Sequence, residues 1–476
     1  MVCCGICYTA PPRQLLTILA FIGLTLAFCM RQVLPISISE ITINSEEPHK
    51  WTELQQALIL MGFYIGYSIS HIGAGLIIQK MGARIPIIIG MIISSVMTGL
   101  IPFVSSFHWS ALVVIRIITG AGQSVLMPGI SSLLTYWVPL ENRSTIAAII
   151  YAGAPMGTFL GIYLSAIVSS YWKNWQYAYY MWSGFTATWL VLFMVYIYSY
   201  PKTHPRISAQ GSSYQRADFI QNELVAEKVQ KLSYGCQIVA TFGHTYILFT
   251  LDTYLPKYLH EVLKYEVEDY SIYAGTPFAL MYMCGIISRL GFSWMVNKKN
   301  INVDFLRVIY CSFGNVLSGV TLVSAFYIAS QQQVTTLVLI HIAALLAGFF
   351  YGGLNMLDMS IRNINAMSLV NGLATTSGVA AITVIALIAK NRSSTEWTHV
   401  SYILLAVEVL VWILDCMFTA TKLCLQPRDE DRRWHQNIPQ AQHKDIIKES
   451  AAVQEELKKK QRGEQSAETE SSTSRP

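Results

Sequence analysis

Two arginines lie inside long apolar stretches, where charged side chains are rare. Arg31 falls within residues 15–37 and Arg116 within residues 108–134, and neither stretch contains Asp or Glu. A charge at membrane depth costs at least a few kcal/mol unless it faces a partner or a cavity. Because the guanidinium is a planar fork that matches carboxylate and phosphate groups, the simplest partner is a bound anion. The alternative is that Arg31 snorkels outward and Arg116 bonds backbone carbonyls.

Both arginines are expected at one depth in the membrane. At ~1.5 Å per residue, Arg31 lies about 24 Å from the inner face and roughly 9 Å from the outer edge. Arg116 is on a stretch that runs the other way, so it lies about 12 Å below that same edge. The spacing therefore predicts one anion site rather than two separate charges.

Three histidines lie deep inside apolar stretches. His244 lies about 15 Å into residues 234–257, near the midplane, where it could be a neutral ligand contact or a titrating group. His71 and His341 are expected instead to donate hydrogen bonds between helices.

Acidic residues in these stretches are few. Asp358, at the inner end of its stretch, is expected to cap a helix or to pair with a nearby base. Glu408 and Asp415 share one face of the last stretch. The sequence offers no account of that pair.

Membrane helices must position these residues. The chain has 476 residues, 53% hydrophobic and 13% charged, whereas soluble domains have roughly 45–50% and about 25%. A bilayer core of about 30 Å takes about 20 apolar residues per helix. The predicted fold is an all-α polytopic protein with twelve spans, near 15–37, 53–79, 84–106, 108–134, 143–170, 175–200, 234–257, 270–296, 305–330, 333–356, 364–389 and 397–425.

The charged stretch at residues 201–233 divides six spans from six. The predicted organisation is a cytoplasmic N-terminus (1–14), a six-helix bundle (15–200), a linker (201–233), a second six-helix bundle (234–425) and a disordered tail (426–476). Such a plan is typical of transporters with a substrate site near mid-membrane between the two halves. The net charge of +5 is too small and too scattered for nucleic-acid binding.

Lys and Arg counts predict the orientation. With the N-terminus inside, the inner connections carry 13 of these residues before the tail and the outer connections carry 6. Positive residues are retained in the cytoplasm, so both termini are expected there. Of the two sequons, Asn391 should then be glycosylated, because Asn142 lies on the cytoplasmic side.

The cysteines indicate packing or lipidation. Cys3, Cys4 and Cys7 precede the first span on the side where thiols stay reduced, and palmitoylation is one candidate modification. A metal or redox role is disfavoured because the Cys4-x-x-Cys7 spacing has no second pair. No common catalytic motif is found, so an intramembrane enzyme is the weakest hypothesis.

Several linked motifs resemble the anion/cation symporter family of the major facilitator superfamily, the group of sialin, the vesicular glutamate transporters and the sodium/phosphate cotransporters. In chain order they are Arg116-x-x-x-Gly120, Pro128, Trp137-x-Pro139, Arg143-Ser144, Pro201-x-x-His204-Pro205-Arg206-Ile207-Ser208, Leu255-Pro256-x-Tyr258-Leu259, Pro277, Asn355-x-Leu357-Asp358 and Asn371-Gly372-x-x-Thr375-x-Ser377-Gly378. The likeness covers about residues 27–397.

The resemblance implies the twelve-helix major facilitator fold and transport of a small anion with sodium or protons as the coupling ion. Arg31 and Arg116 match the family's substrate-associated arginines, and His244 stands where other members have an arginine or a polar residue. Asn355, Asp358 and Asn371 belong to its motifs and are candidates for coupling or gating.

One departure from the family concerns coupling. Proton-coupled members resemble Arg-x-x-x-Gly-x-x-Glu in the fourth span, whereas this chain has Gln123, which does not titrate. Sodium is therefore the preferred alternative, and a proton gradient is expected to drive uptake weakly unless His244 has taken over the role. Gln123→Glu is then expected to introduce or increase pH dependence.

The main hypothesis is a secondary active symporter for phosphate or an organic carboxylate. We expect a monomer with no cofactor, in the plasma membrane or an endolysosomal or vesicular membrane. The alternative is a non-transporting member that acts as a membrane sensor or scaffold through its Cys cluster and tail.

Overall fold

Helices account for every regular element that the structure describes. The computed structural model describes residues 12–43, 51–138, 140–200, 227–265, 267–299, 303–329, 331–352, 364–389 and 393–425. In the first half (residues 12–200) the helices are α1 (Pro12–Ile43), α2 (Glu53–Met81), α3 (Arg84–Val104), α4 (Trp109–Gln123), α5 (Leu126–Trp137), α6 (Leu140–Tyr151), α7 (Gly153–Trp172) and α8 (Gln176–Tyr196). In the second half (residues 227–425) they are α9 (Glu227–Glu261), α10 (Val267–Lys299), α11 (Val303–Ser312), a π-helix (Phe313–Leu317), α12 (Ser318–Ile328), α13 (Gln333–Ala347), α14 (Ile364–Ala374), α15 (Thr376–Ile388) and α16 (Ser394–Leu425).

The length and apolarity of the helices confirm the predicted fold class, an all-helical protein that crosses the membrane several times. Within the described residues, ten stretches are long and apolar enough to cross a bilayer: Gln14–Ile38, Glu53–Met81, Arg84–Val104, Trp109–Trp137, Ile149–Trp172, Gln176–Tyr196, Asp304–Ile328, Gln333–Gly352, Ile364–Ile388 and Ser394–Thr421. The helices α9 and α10 have 35 and 33 residues but are more polar. The count of twelve spans therefore stays a prediction.

Proline explains why two of these spans are broken. The α4–α5 break falls at Ser124, and Pro128 follows four residues later. The α6–α7 break follows Tyr151, and Pro155 stands four residues later. A proline has no N–H for the carbonyl four residues back, and its ring clashes with that carbonyl, so the helix is interrupted there.

Small residues let the helices of the first half meet backbone to backbone. A methyl group at Gly66 would overlap the carbonyl oxygen of Ile117, and one at Gly120 would overlap that of Phe63. These contacts join α2 to α4 along the span that carries Arg116. Close approach at small residues is how helices associate in a bilayer, where hydrophobic exclusion gives no drive.

A capping box starts α2 at the predicted outer side. The Thr52 N–H donates to Oε1 of Gln55 at 2.9 Å, and the Gln55 N–H donates to Oγ1 of Thr52 at 3.3 Å. This reciprocal pair satisfies backbone donors that a helix start leaves open. It also places Glu53 and Gln56 where they meet the second half.

An ion pair inside the second half accounts for Asp415. Nη1 of Arg307 lies 2.9 and 3.2 Å from the two carboxylate oxygens of Asp415, and the same guanidinium also bonds Thr419. Each side chain of the ion pair is only 2% exposed. Arg307 is one of the 13 basic residues counted in the predicted inner connections, and that placement is wrong because Arg307 lies buried within α11.

The predicted orientation does not depend on Arg307. Lys257, one of the six basic residues counted in the predicted outer connections, is also buried, within α9. Without these two residues the predicted inner connections still carry 12 basic residues against 5 outside, so the expected cytoplasmic position of both termini is unchanged.

Candidate substrate cavity

A cavity of about 160 Å³ lies between helices of the two halves. Its walls are mainly aromatic and aliphatic, as in most small-molecule sites. The side chains with polar groups that line it are Arg31, Tyr67, His71, Tyr151, Thr158, Thr241, His244, Thr245, Tyr351, Asn371 and Thr375. Within this lining Arg31 is the residue that carries a permanent charge, so the cavity suits an anion.

The Arg31 guanidinium is held by aromatic rings rather than by an acid. Its central carbon lies 4.3 Å from the ring centre of Phe28, 4.5 Å from that of Phe63 and 5.1 Å from that of Tyr67. The side chain is 3% exposed, and its Nε atom has no hydrogen-bond partner among the described residues. Ring faces attract the cation without accepting hydrogen bonds from its N–H donors as an acid would, and the buried Nε–H is left without an acceptor among the described residues.

Arg116 contacts one of the same aromatic rings, that of Phe63. Its guanidinium carbon is 5.0 Å from the ring centre of Phe63, and its Nε and Nη1 atoms lack hydrogen-bond partners within the described part of the chain. It is 1% exposed and is not among the residues that line the cavity. The two arginines are therefore brought together, but only Arg31 reaches the cavity.

Gln123 serves helix packing in this conformation. Its Nε2 donates to the carbonyl oxygen of Ala27 on α1 at 3.1 Å. The side chain is 2% exposed. The amide thus links α4 to the helix that carries Arg31, and it does not line the cavity.

Two histidines, His244 and His71, line the cavity. The His244 ring stacks on Phe350 with centres 4.0 Å apart, and neither ring nitrogen has a partner in the described ranges. His71 also lines the cavity with both nitrogens unpartnered there, so its expected hydrogen bond between helices is not made. His341 makes that type of bond, with Nε2 2.7 Å from Oγ1 of Thr276.

Asn371 lines the cavity from α14. One turn further along the chain, Thr375 shares a 3.1 Å hydrogen bond with Ser68 of α2, which joins the two halves beside it. Several other candidate residues lie outside the described residues: Asn355, Asp358, Asn391, Cys3, Cys4 and Cys7.

Asp252 is a site residue that sequence reasoning missed. It is 2% exposed on α9, and Nε2 of Gln32 donates to its Oδ1. The Tyr64 hydroxyl donates to its Oδ2 at 3.3 Å. The available signal was an acidic residue inside residues 234–257. The two spans that carry the arginines contain no acid, and the carboxylate comes instead from a span of the other half.

A second set of polar contacts, made by Lys257, joins the two halves five residues beyond Asp252 on α9. Nζ of Lys257 lies 2.6 Å from Oε2 of Glu53 and donates to Oε1 of Gln56 at 3.0 Å. Lys257 is 6% exposed. Like the contacts of Asp252, this contact joins α9 to helices of the first half.

Fold and cavity together define a multi-pass membrane protein with a polar site between two helical halves. The chain belongs to the Major Facilitator Superfamily, whose family model matches residues 20–389. A solved bacterial homologue of the human lysosomal transporter Spinster, in an inward-facing and unoccupied conformation, has a TM-score of 0.59 at 13% identity, covering 87% of this chain and 98% of its own. A D-xylose–proton symporter structure gives 0.58 at 15% identity, covering 87% and 97%.

Relatives confirm the resemblance within the superfamily. Human sialin is 26% identical over 453 residues, covering 88% of this chain and 90% of its own. A Drosophila ananassae protein named for inorganic phosphate cotransport is 29% identical over 367 residues, covering 74% of each chain. Human vesicular glutamate transporter 2 is 22% identical over 419 residues, covering 83% and 72%. These relatives are transporters and not enzymes, so the hypothesis of an intramembrane enzyme is dropped.

Proposed function

We propose that the chain is a secondary active transporter that carries a small anion, phosphate or an organic carboxylate, together with sodium or protons. The observation that carries the proposal is the buried Arg31 guanidinium, which faces a cavity between the two halves. A cation kept at membrane depth without an acid in contact costs free energy. A bound anion removes that cost, because it accepts the hydrogen bonds that aromatic rings do not.

Arg116 contributes to binding through its charge. It contacts the same Phe63 ring as Arg31, so its positive potential adds to that of Arg31. Electrostatic effects are strong where water is excluded. Among the described residues, Asp252 is the carboxylate that acts on both arginines, so two positive charges against one negative charge leave a net positive site, which favours an anion over a neutral solute.

Movement of the two halves changes access to the site. The Lys257–Glu53 and Asp252–Gln32 contacts join α9 to the first half on the outer side of Arg31. Their separation opens the cavity outward, and their formation closes it. The aromatic walls exclude water around the bound anion, which gives its hydrogen bonds to Arg31 their full strength.

Transport into proteoliposomes tests the proposal. Purified protein is reconstituted and supplied with radiolabelled phosphate or with labelled mono- and dicarboxylates, under an inward sodium gradient, an inward proton gradient or neither. Arg31→Ala removes a charge-assisted contact of about 1.5–3 kcal/mol. Initial uptake at low anion concentration should fall about tenfold to hundredfold.

Lys80→Ala is the matched control. Lys80 is exposed at the predicted inner end of α2, so its loss removes the same charge without touching the cavity. Its uptake should equal that of the unmutated protein. If the unmutated protein moves none of these anions under any gradient, the proposal fails and a non-transporting sensor or scaffold becomes the better account.

A further inference from the structure

The Asp252 carboxylate bridges the two halves beside the anion site. It belongs to α9 of the second half, and its hydrogen-bond donors Gln32, Tyr64 and Thr158 belong to α1, α2 and α7 of the first half. These bonds must break when α9 moves away from those helices. The carboxylate therefore loses its partners and meets water whenever the outer side opens.

Charges around Asp252 link it to the arginines. The charged and titratable groups that act on this carboxyl from the surrounding helices are Arg31, Tyr64, Arg116 and Tyr351. Neither arginine forms an ion pair with it within 4.0 Å in the described part of the chain. Asp252 thus lowers the positive charge of the site without occupying the guanidinium donors.

We propose, building on the proposed function, that Asp252 is the proton-binding carboxyl that couples anion transport to a pH gradient, in the role that Gln123 does not fill. The carboxylate takes one proton from the outer solution when the halves separate on that side. The same proton leaves to the inner solution when the cavity opens inward.

Linkage explains why this proton and the anion travel together. Protonation removes a negative charge beside Arg31 and so raises the affinity of the site for an anion. By reciprocity, a bound anion favours the protonated acid to the same extent. Anion and proton therefore occupy the carrier together and are released together.

The surroundings of Asp252 favour a proton over sodium. Gln32 donates an N–H to this carboxylate, and Tyr64 and Thr158 each donate an O–H. A sodium ion would need these neighbours to turn oxygen lone pairs toward it instead. A proton needs only the carboxylate itself.

A second buried carboxyl offers a comparison. Glu408 on α16 is 0% exposed, and neither of its oxygens has a hydrogen-bond partner among the described residues. A Cβ built at Gly243 of α9 would lie 2.8 Å from its Oε2 and 3.2 Å from Nδ2 of Asn315. Glu408 does not line the cavity, so it serves as the control acid.

Asp252→Asn in proteoliposomes tests the proposal. Two rates are measured: exchange of labelled for unlabelled anion across the bilayer, and accumulation of labelled anion driven by an acidic outer solution, with a pH-sensitive dye trapped inside. The variant should retain part of the exchange, because the amide resembles the protonated carboxyl and Arg31 is unchanged. It should lose pH-driven accumulation and the dye signal of proton entry.

Controls separate the possible outcomes. Glu408→Gln should keep pH-driven accumulation, and Asp252→Glu should keep part of it because the acid is retained. The proposal is overturned if Asp252→Asn still accumulates anion from a proton gradient, or if the unmutated protein accumulates anion only with sodium. If Asp252→Asn shows no anion exchange, Asp252→Glu decides the question. Accumulation of anion by Asp252→Glu in a pH gradient upholds the assignment of Asp252, and no such accumulation refutes it. Absence of exchange in the unmutated protein would instead refute the proposed function.

Discussion

Arg31 and Arg116 direct their guanidinium groups at one and the same ring, that of Phe63, with central carbons 4.5 and 5.0 Å from its centre. Like charges repel, so a shared aromatic contact is an unusual way to bury two cations. Each cation–π contact offsets part of the desolvation cost, by about 0.5–2 kcal/mol. The remaining electrostatic cost is what a bound anion relieves.

Shape as well as charge should matter at Arg116. Arg116→Lys keeps the charge but replaces the planar fork with a point charge that stacks poorly on Phe63. Uptake of the labelled anion should fall about tenfold or more in both Arg116→Lys and Arg116→Ala, with expression unchanged. Normal transport by the lysine variant would refute a requirement for the guanidinium.

Two glycines should respond in opposite ways to the same substitution. Gly120→Ala puts a methyl group onto the carbonyl oxygen of Phe63 and should destabilise the α2–α4 packing by about 1–3 kcal/mol. At Gly73 a Cβ would meet nothing within 4 Å, so Gly73→Ala should be neutral or should raise helix stability by up to about 1 kcal/mol. Thermal unfolding of the detergent-solubilised protein measures both. Equal effects would contradict the packing argument.

Charge reversal tests the Lys257–Glu53 contact. Lys257→Glu replaces the ammonium group, whose Nζ lies 2.6 Å from Oε2 of Glu53, with a second carboxylate, and two like charges at this contact resist closure. Uptake should drop severalfold in Lys257→Glu and in Glu53→Lys. The double variant Glu53→Lys with Lys257→Glu restores the opposite charges and should recover most of the activity. A double variant as weak as either single change would mean that the contact is not a closing pair.

Glycosylation tests the predicted orientation. Asn391 and Asn142 both lie in sequons, and the expected topology exposes only Asn391 to the lumen of the secretory pathway. Expressed in a eukaryotic cell, the unmutated chain should shift on a gel after glycosidase treatment, and Asn391→Gln should abolish that shift. A shift that persists in Asn391→Gln but disappears in Asn142→Gln would reverse the orientation of the whole chain.

Sequence alone determined the class of this protein, and it predicted the helical spans and the depth of the two arginines. Hydropathy and charge are local properties, and position along a helix sets depth at a constant rise per residue. The prediction of a common depth for Arg31 and Arg116 needed no knowledge of which helices are neighbours.

Tertiary structure decided which side chains meet. In a helix that is apolar on every side, hydropathy does not reveal which face turns inward. Only the packed helices could therefore show that Asp252 of α9 faces Gln32 of α1, that Arg31 lines the cavity whereas Arg116 does not, or that His71 lines it while His341 bonds Thr276. Contacts between residues far apart in sequence depend on the rotation and crossing of whole helices, and no local pattern in the chain records them.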